Sequence, residues 1–438
     1  MKNTSIYHLD GVPPLKQAIP LGLQHILAMF VSNITPIIIV ANVLGISHEV
    51  TTGLIQATML VAGINTLIQA YTLGPIGAKL PVVVGTSFAF VPVAISIGLK
   101  YGFEAVLGAA LIGGIFEACL GLVIKKIRNF FPTVVTGVIV LSIGLTLIPV
   151  GIQNLGGGFN APDYGSAKNL LVGGAVLLIV VALKHFGKGL VSTGSAFIAT
   201  VIGFFIALSL GMVDIAPISK AAVFSIPKPF AFGFKFHLDA IISMMVLYTV
   251  SAIETLGDMT GVTLGGAGRE TTDKELSGGI LADGLGGVIA AGFSILPTTT
   301  FSQNSGIVML TGIMSRFIIG VGATFLIIAA FFPKLGAALT VIPPAVLGGS
   351  LVIMFAMITI SGINLITKEP LKGRNALIVA VSLGLGYGLG LVPDTLKFCP
   401  ETVKLIFGGS GIVISSITAV VLNLILPNYE NIEEECVC

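Results

Sequence analysis

Long stretches without a charged residue constrain this chain more than any other feature. Segments 20–47, 51–78, 189–213 and 335–367 contain no Asp, Glu, Lys or Arg. Each can supply the roughly 20 apolar residues that a helix needs to cross a bilayer. Charged residues form only 10% of the 438 residues, against about 25% in soluble domains. Because so few charges cannot cover a water-facing surface, the sequence predicts an all-α, polytopic membrane protein.

Hydropathy divides the chain into about fourteen spans. We predict them at 20–45, 50–73, 81–99, 104–124, 131–149, 169–187, 190–213, 239–261, 276–293, 299–313, 315–333, 340–364, 375–393 and 403–427. An even number of spans puts both termini on one side. Most of the 22 Lys and Arg residues fall on that side, which the positive-inside rule assigns to the cytoplasm. We therefore expect a multi-pass protein of the plasma membrane with both termini cytoplasmic.

The predicted spans form two halves of seven. Because seven is odd, the halves must cross the membrane in opposite directions. Such inverted repeats are a common plan of secondary transporters, which place their binding site where corresponding helices are interrupted. The sequence therefore predicts a seven-plus-seven inverted repeat.

Spans three and ten are irregular in the same way. Segment 79–92 reads KLPVVVGTSFAFVP and segment 296–306 reads LPTTTFSQNSG. Proline removes a backbone donor, and β-branched residues favour extended backbone. We predict a short extended segment followed by a half-helix in each span. If the two extended segments pair at mid-membrane, two helix N-termini face a central cavity, where irregular backbone is tolerated.

Acidic residues inside the predicted spans are the first candidates for function. They are Glu117, Glu254, Asp258 and Asp283, and each costs at least ~2.5 kcal/mol at the bilayer centre on insertion scales. Glu254 and Asp258 are four residues apart and share a helix face. A carboxylate there can accept hydrogen bonds from an imide or lactam N–H and can bind a proton. The alternative is a structural acid bonded to Ser or Thr, which we favour for Glu117.

Three further polar residues lie in or beside the predicted spans. His25 is either a packed hydrogen-bonding residue or a proton relay, because imidazole titrates near neutral pH. Gln303 and Asn304 lie beside the N-terminus of the predicted half-helix and offer both donors and acceptors, which suits the amide-like edge of a purine. A structural role is the alternative for both.

Several classes of function find no support in the sequence. It contains no P-loop, no Cys/His metal spacing and no Ser-His-acid set, so we expect no ATP drive, metal site or catalytic residues. A net charge of +2 gives no reason to expect a nucleic-acid partner.

Segment 303–312, QNSGIVMLTG, resembles the signature [Q/E/P]-N-x-G-x4-T-[R/K/G] of the nucleobase-ascorbate transporter family, the xanthine/uracil permeases. Supporting matches are Gln24-His25, segment 85–90 (GTSFAF), segment 254–258 (ETLGD) and Asp283-Gly. The resemblance covers essentially the whole chain. It implies a proton-coupled purine importer without other cofactors, which is a transporter and not an enzyme.

The resemblance also implies a domain organisation. A core domain would comprise residues 1–125 (spans 1–4) and 237–335 (spans 8–11). A gate domain would comprise residues 126–236 (spans 5–7) and 336–438 (spans 12–14 and a cytoplasmic tail). In this family the core moves against the gate like an elevator, and a homodimer is expected.

For the site, the resemblance implies that Glu254 and Gln303 hydrogen-bond the base while the Phe90 ring stacks on it. Ala89 would leave room for an additional purine oxygen. The residues implied to support the geometry or the proton coupling are His25, Asp258, Asp283, Asn304 and Thr311. Since uracil-type members tend to have Glu at the first signature position, Gln303 favours xanthine, then uric acid, with uracil as a further alternative.

The sequence leaves three rival functions open. An anion carrier of similar architecture is disfavoured by Glu254, because a carboxylate repels an anion. A channel lined by the acids predicts flux that neither saturates nor follows the proton gradient. A membrane enzyme would need a catalytic constellation.

Overall fold

Helices form most of the chain, because a helix satisfies its own backbone hydrogen bonds inside a bilayer. The computed structural model describes residues 7–127, 132–159, 161–400, 403–408 and 410–427. The α-helices of this part are α1 (Leu15–Val43), α2 (His48–Tyr71), α3 (Val91–Tyr101), α4 (Phe103–Ile127), α5 (Thr133–Leu155), α6 (Ala167–Phe186), α7 (Leu190–Thr193), α8 (Ser195–Ser209), α9 (Ala216–Lys220), α10 (Leu238–Val262), α11 (Asp273–Gly292), α12 (Ser302–Thr311), α13 (Arg316–Ala330), α14 (Pro333–Thr340), α15 (Pro344–Ile366), α16 (Gly373–Leu391) and α17 (Gly411–Ile425). The predicted cytoplasmic tail, which follows residue 427, lies outside the described residues.

Apolar helices long enough to cross a membrane recur along the chain. Among the described residues, eight helices meet length and hydropathy criteria for a span. The bent pair α13 and α14 adds a ninth candidate. Shorter apolar helices, including α8 and α17, occupy other predicted spans. A helical, multi-pass membrane protein is thus confirmed, whereas the count of fourteen stays a prediction.

Helix α14 is absent from the predicted spans. It follows α13 at an angle of 84°. Pro333 begins α14, where its missing N–H costs no helical hydrogen bond and its fixed φ suits a helix start. The hydropathy pattern alone did not separate this short helix from its neighbours.

Two short strands confirm the predicted extended segments. Strands β1 (Val84–Thr86) and β2 (Thr298–Thr300) pair antiparallel, with Gly85 opposite Thr299. The amide of Thr86 also donates to Asn33 Oδ1 at 2.8 Å, which ties β1 to α1. The pairing satisfies backbone groups that a bilayer cannot satisfy. It therefore joins two segments far apart in sequence within the interior of the protein.

Close helix packing surrounds this sheet. Helix α4 packs on α11, and α2 packs on α13. A Cβ atom on Gly284 of α11 would lie 2.3 Å from the backbone nitrogen of Ala118 on α4, so a side chain there cannot be accommodated. Helices α5 and α15 form a second extensive contact. Each of these pairs joins helices of the same predicted domain, while the domain boundaries stay a prediction.

Candidate functional site

The strand pair brings two helix N-termini together. Strand β1 leads through a 3₁₀ turn at Phe88–Phe90 into α3, and β2 leads directly into α12. Helix α10 contacts β2, α12, α3 and the 3₁₀ turn. Helix N-termini carry unsatisfied N–H groups and partial positive charge. The acids of α10 therefore lie where the sequence predicts a binding site.

Glu254 and Gln303 retain free hydrogen-bonding capacity. Both side chains are half-buried, Glu254 on α10 and Gln303 in the first turn of α12. Within the described part of the chain, neither side chain makes a hydrogen bond. Half-buried polar groups without a protein partner can bind a ligand or water.

Asp258 is held by the strand pair. Thr300 Oγ1 of β2 donates to Asp258 Oδ2 at 2.6 Å. The Ser302 hydroxyl at the start of α12 is a second neighbour of this carboxyl group. Asp258 thereby links α10 to the point where β2 becomes α12.

Asp283 is the centre of a buried hydroxyl cluster. Its Oδ2 accepts from Thr255 Oγ1 at 2.6 Å, Thr299 Oγ1 at 3.2 Å and Ser251 Oγ at 3.4 Å. Thr255 Oγ1 also lies 3.3 Å from Thr300 Oγ1. A continuous chain of hydroxyl groups thus joins Asp283 to Asp258.

Asn304 and His25 form a contact between α12 and α1. Asn304 Nδ2 donates to the backbone oxygen of His25 at 2.8 Å and lies 3.2 Å from His25 Nδ1. Both side chains are buried. The structure therefore brings these two predicted site residues together next to Gln303.

Three further predicted site residues, Phe90, Ala89 and Thr311, lie at different places around the strand pair and α12. The Phe90 ring is fully buried and packs edge-on against Tyr248, with ring centroids 4.9 Å apart. Ala89 is buried in the same turn, and its amide is capped by Ser87 Oγ at 3.3 Å. Thr311 lies at the opposite end of α12 from Gln303, where its hydroxyl donates to Ile307 O at 2.8 Å. Base stacking by Phe90 and a coupling role for Thr311 stay predictions.

Sequence reasoning missed the hydroxyl partners of the acids. They are Ser251, Thr255, Thr299 and Thr300. The available signal was the run of three threonines in a predicted buried extended segment, since a buried hydroxyl needs a partner.

Removing one of these hydroxyls tests the network. Thr300→Val leaves the buried Asp258 without its 2.6 Å donor, which typically costs about 1–3 kcal/mol. We expect a lower thermal midpoint in detergent and slower substrate uptake. Thr324→Val is the matched control, because among the described residues that hydroxyl bonds only Gly320 O of its own helix. Equal effects of the two substitutions would contradict the importance of the Asp258 contact.

Comparison with known proteins identifies a family. Residues 16–395 match the model of a permease family, the xanthine/uracil permeases. The chain is 39% identical to a xanthine permease of Bacillus subtilis, over 96% of each chain. It is 36% identical to the xanthine permease XanQ of Escherichia coli strain K12, over 96% of this chain and 94% of that protein.

Solved structures share the fold at low sequence identity. The transmembrane domain of the cyanobacterial bicarbonate transporter BicA matches with a TM-score of 0.55 at 16% identity, covering 94% of this chain and 97% of that one. The murine anion transporter Slc26a9 in its inward-facing state matches with a TM-score of 0.60 at 14% identity, covering 92% and 68%. At these identities the likeness shows a membrane-transporter fold alone.

Proposed function

This chain belongs to the xanthine/uracil permease family, and we propose that it imports xanthine across the plasma membrane by symport with protons. Membership of this family makes it a nucleobase transporter and not an enzyme. Uric acid is the second candidate substrate and uracil the third.

One observation carries the choice of a nucleobase. Glu254 and Gln303 are half-buried, lie on elements that contact each other, and have no hydrogen-bond partner among the described residues. A carboxylate accepts N–H groups, and a primary amide both donates and accepts. Xanthine presents alternating N–H and C=O groups in one plane, so this pair complements its edge. A site that hydrogen-bonds its substrate through such a pair rejects a ligand that leaves the pair without partners.

The coupling to protons is proposed from the acids around the site. Asp258 and Asp283 are buried and joined through the hydroxyls of Thr300 and Thr255. Intramembrane carboxyl groups that are connected in series by polar groups are typical of proton pathways. We assign the coupling to these acids with His25 and Asn304 as supporting residues.

Alternating access is proposed to follow the predicted domain division. The core, spans 1–4 and 8–11, would move against the gate, spans 5–7 and 12–14, as the two halves of a seven-plus-seven inverted repeat. The packing of α4 on α11 and of α5 on α15 supports this division, because it joins the two halves within each domain. A homodimer, with both termini on the cytoplasmic side, completes the proposal.

Uptake of labelled xanthine by cells without their own purine permeases tests the function. We expect saturable uptake that collapses when a protonophore is added, with uric acid, hypoxanthine, guanine and uracil as competitors to rank the substrates. Strong uracil uptake without xanthine uptake would overturn the interpretation of Gln303. Absence of uptake of any base, together with transport of sulfate or bicarbonate, would favour an anion carrier.

A further inference from the structure

A second buried carboxyl group lies behind the candidate site. Glu117 of α4 is fully buried, and neither of its carboxyl oxygens has a hydrogen-bond partner of normal geometry among the described residues. The Tyr248 hydroxyl and Asp283 Oδ1 are likewise buried without a partner. Native proteins rarely leave such groups unpaired without a functional reason.

Helix packing places Glu117 against α11. Gly114 and Gly121 lie three and four residues from Glu117 and therefore on its helix face. A Cβ atom on Gly114 would lie 2.8 Å from Gly284 O, and one on Gly121 would lie 2.8 Å from Leu281 N. Asp283 precedes Gly284 in sequence. The closest approach of α4 and α11 therefore holds the two carboxyl groups in one cluster.

The groups that face Glu117 include no cation. Among the described residues, Tyr248 and Glu254 of α10 and Asp283 of α11 are its titratable neighbours. On α3, Lys100 is engaged elsewhere, with its Nζ 3.3 Å from Asp239 Oδ2. A carboxylate without a counter-ion is very costly to bury, whereas the protonated acid is neutral and can itself donate a hydrogen bond. The environment of Glu117 therefore favours the protonated carboxyl group.

Hydroxyl groups connect the Glu117 carboxyl group to the candidate substrate site. Ser251 lies beside Glu117, and its Oγ donates to Thr299 Oγ1 at 3.0 Å and approaches Asp283 Oδ2 at 3.4 Å. From Asp283 the chain continues through Thr255 and Thr300 to Asp258. Each hydroxyl can pass on one proton while accepting another.

We propose that Glu117 is a second proton-binding residue of the transport cycle, which exchanges its proton with Asp283 by way of the Ser251 hydroxyl. The Ser251 hydroxyl gives its proton to an oxygen of Asp283 and takes the proton of Glu117 in its place. The two carboxyl groups together therefore keep their total charge. Two negative charges in one buried cluster repel each other, so the two carboxyl groups are rarely ionised at the same time. The pair therefore binds and releases protons as a unit. This inference rests on the proposed proton symport.

Glu117→Gln tests it, because the amide keeps the size of the side chain and cannot carry the proton. We expect xanthine counterflow, which needs no gradient, to continue. Accumulation driven by a proton gradient should fall at least about tenfold, a usual size for coupling between two bound ligands. Glu104→Gln is the matched control, since Glu104 is on the same helix but pairs at 3.7 Å with Lys235 near the chain's surface.

The outcomes separate the two proposals. A wild-type protein whose uptake ignores the proton gradient overturns the proposed symport, and this inference with it. A coupled wild type together with an equally coupled Glu117→Gln variant overturns the inference alone. If Glu117→Gln does not reach the membrane, Tyr248→Phe removes only the neighbouring hydroxyl. We then expect a shift in the pH midpoint of xanthine accumulation, and an unchanged midpoint would count against the inference.

Discussion

Glu254→Gln is expected to abolish xanthine uptake while the protein still folds and reaches the membrane. The amide fills the same volume but places an NH₂ group where the carboxylate would accept N–H groups of the base. Hydrogen bonds to a charged group contribute about 1.5–3 kcal/mol each, so losing two of them lowers uptake by roughly two to four orders of magnitude. Because Glu254 has no hydrogen-bond partner among the described residues, the substitution breaks no internal bond.

The measurement is initial xanthine uptake normalised to the amount of protein in the membrane. Glu49→Gln provides the control, since Glu49 is exposed in the first turn of α2. Wild-type transport by Glu254→Gln at a normal membrane level would remove Glu254 from the mechanism. Loss of transport in both variants would show that the effect is not specific to Glu254.

Gly85→Ala is expected to destabilise the strand pair and to stop transport. An added Cβ atom would lie 2.6 Å from Phe301 Cε2 and 2.7 Å from both Asn33 Oδ1 and Met29 Cε. Asn33 Oδ1 accepts the amide of Thr86, so relieving the clash disturbs the bond that ties β1 to α1. Overpacking of this kind costs about 1–3 kcal/mol. Movement of β1 would also displace the N-termini of α3 and α12.

The thermal midpoint of the purified protein in detergent, followed by size-exclusion chromatography, checks this expectation together with xanthine uptake. Gly174→Ala serves as the control, because a Cβ atom there meets no atom within 4 Å and Gly174 lies inside helix α6. The control should keep or raise the midpoint, since Ala is favoured over Gly in a helix by about 1 kcal/mol. A wild-type midpoint for Gly85→Ala would show that β1 adapts without loss.

A shared fold does not determine the substrate of a transporter. The two compared structures are anion transporters by name, yet they share the fold at 16% and 14% identity. A fold supports many functions, and the chemistry of the site distinguishes them. Here the carboxyl group of Glu254, which has no hydrogen-bond partner among the described residues, disfavours an anion, and the amide of Gln303 adds a donor and an acceptor.

The sequence by itself determined the features that depend on local chemistry. Charge-free runs predict spans because the bilayer excludes charges over a fixed thickness. Proline with β-branched residues predicted the extended segments at β1 and β2, because those residues resist a helix wherever they occur. The four-residue spacing of Glu254 and Asp258 and the signature at 303–312 also follow from the chain alone.

Only the tertiary structure decided which groups satisfy the buried acids. Thr299 and Thr300 bond Asp283 and Asp258 because β1 pairs with β2 in a particular register and α10 lies across it. The sequence favoured a structural role for Glu117, and only the structure shows that its carboxyl group is fully buried where α4 packs on α11, with no hydrogen-bond partner of normal geometry among the described residues. These contacts join residues distant in sequence, and side-chain partners at such distances are set by how helices pack and not by local propensity.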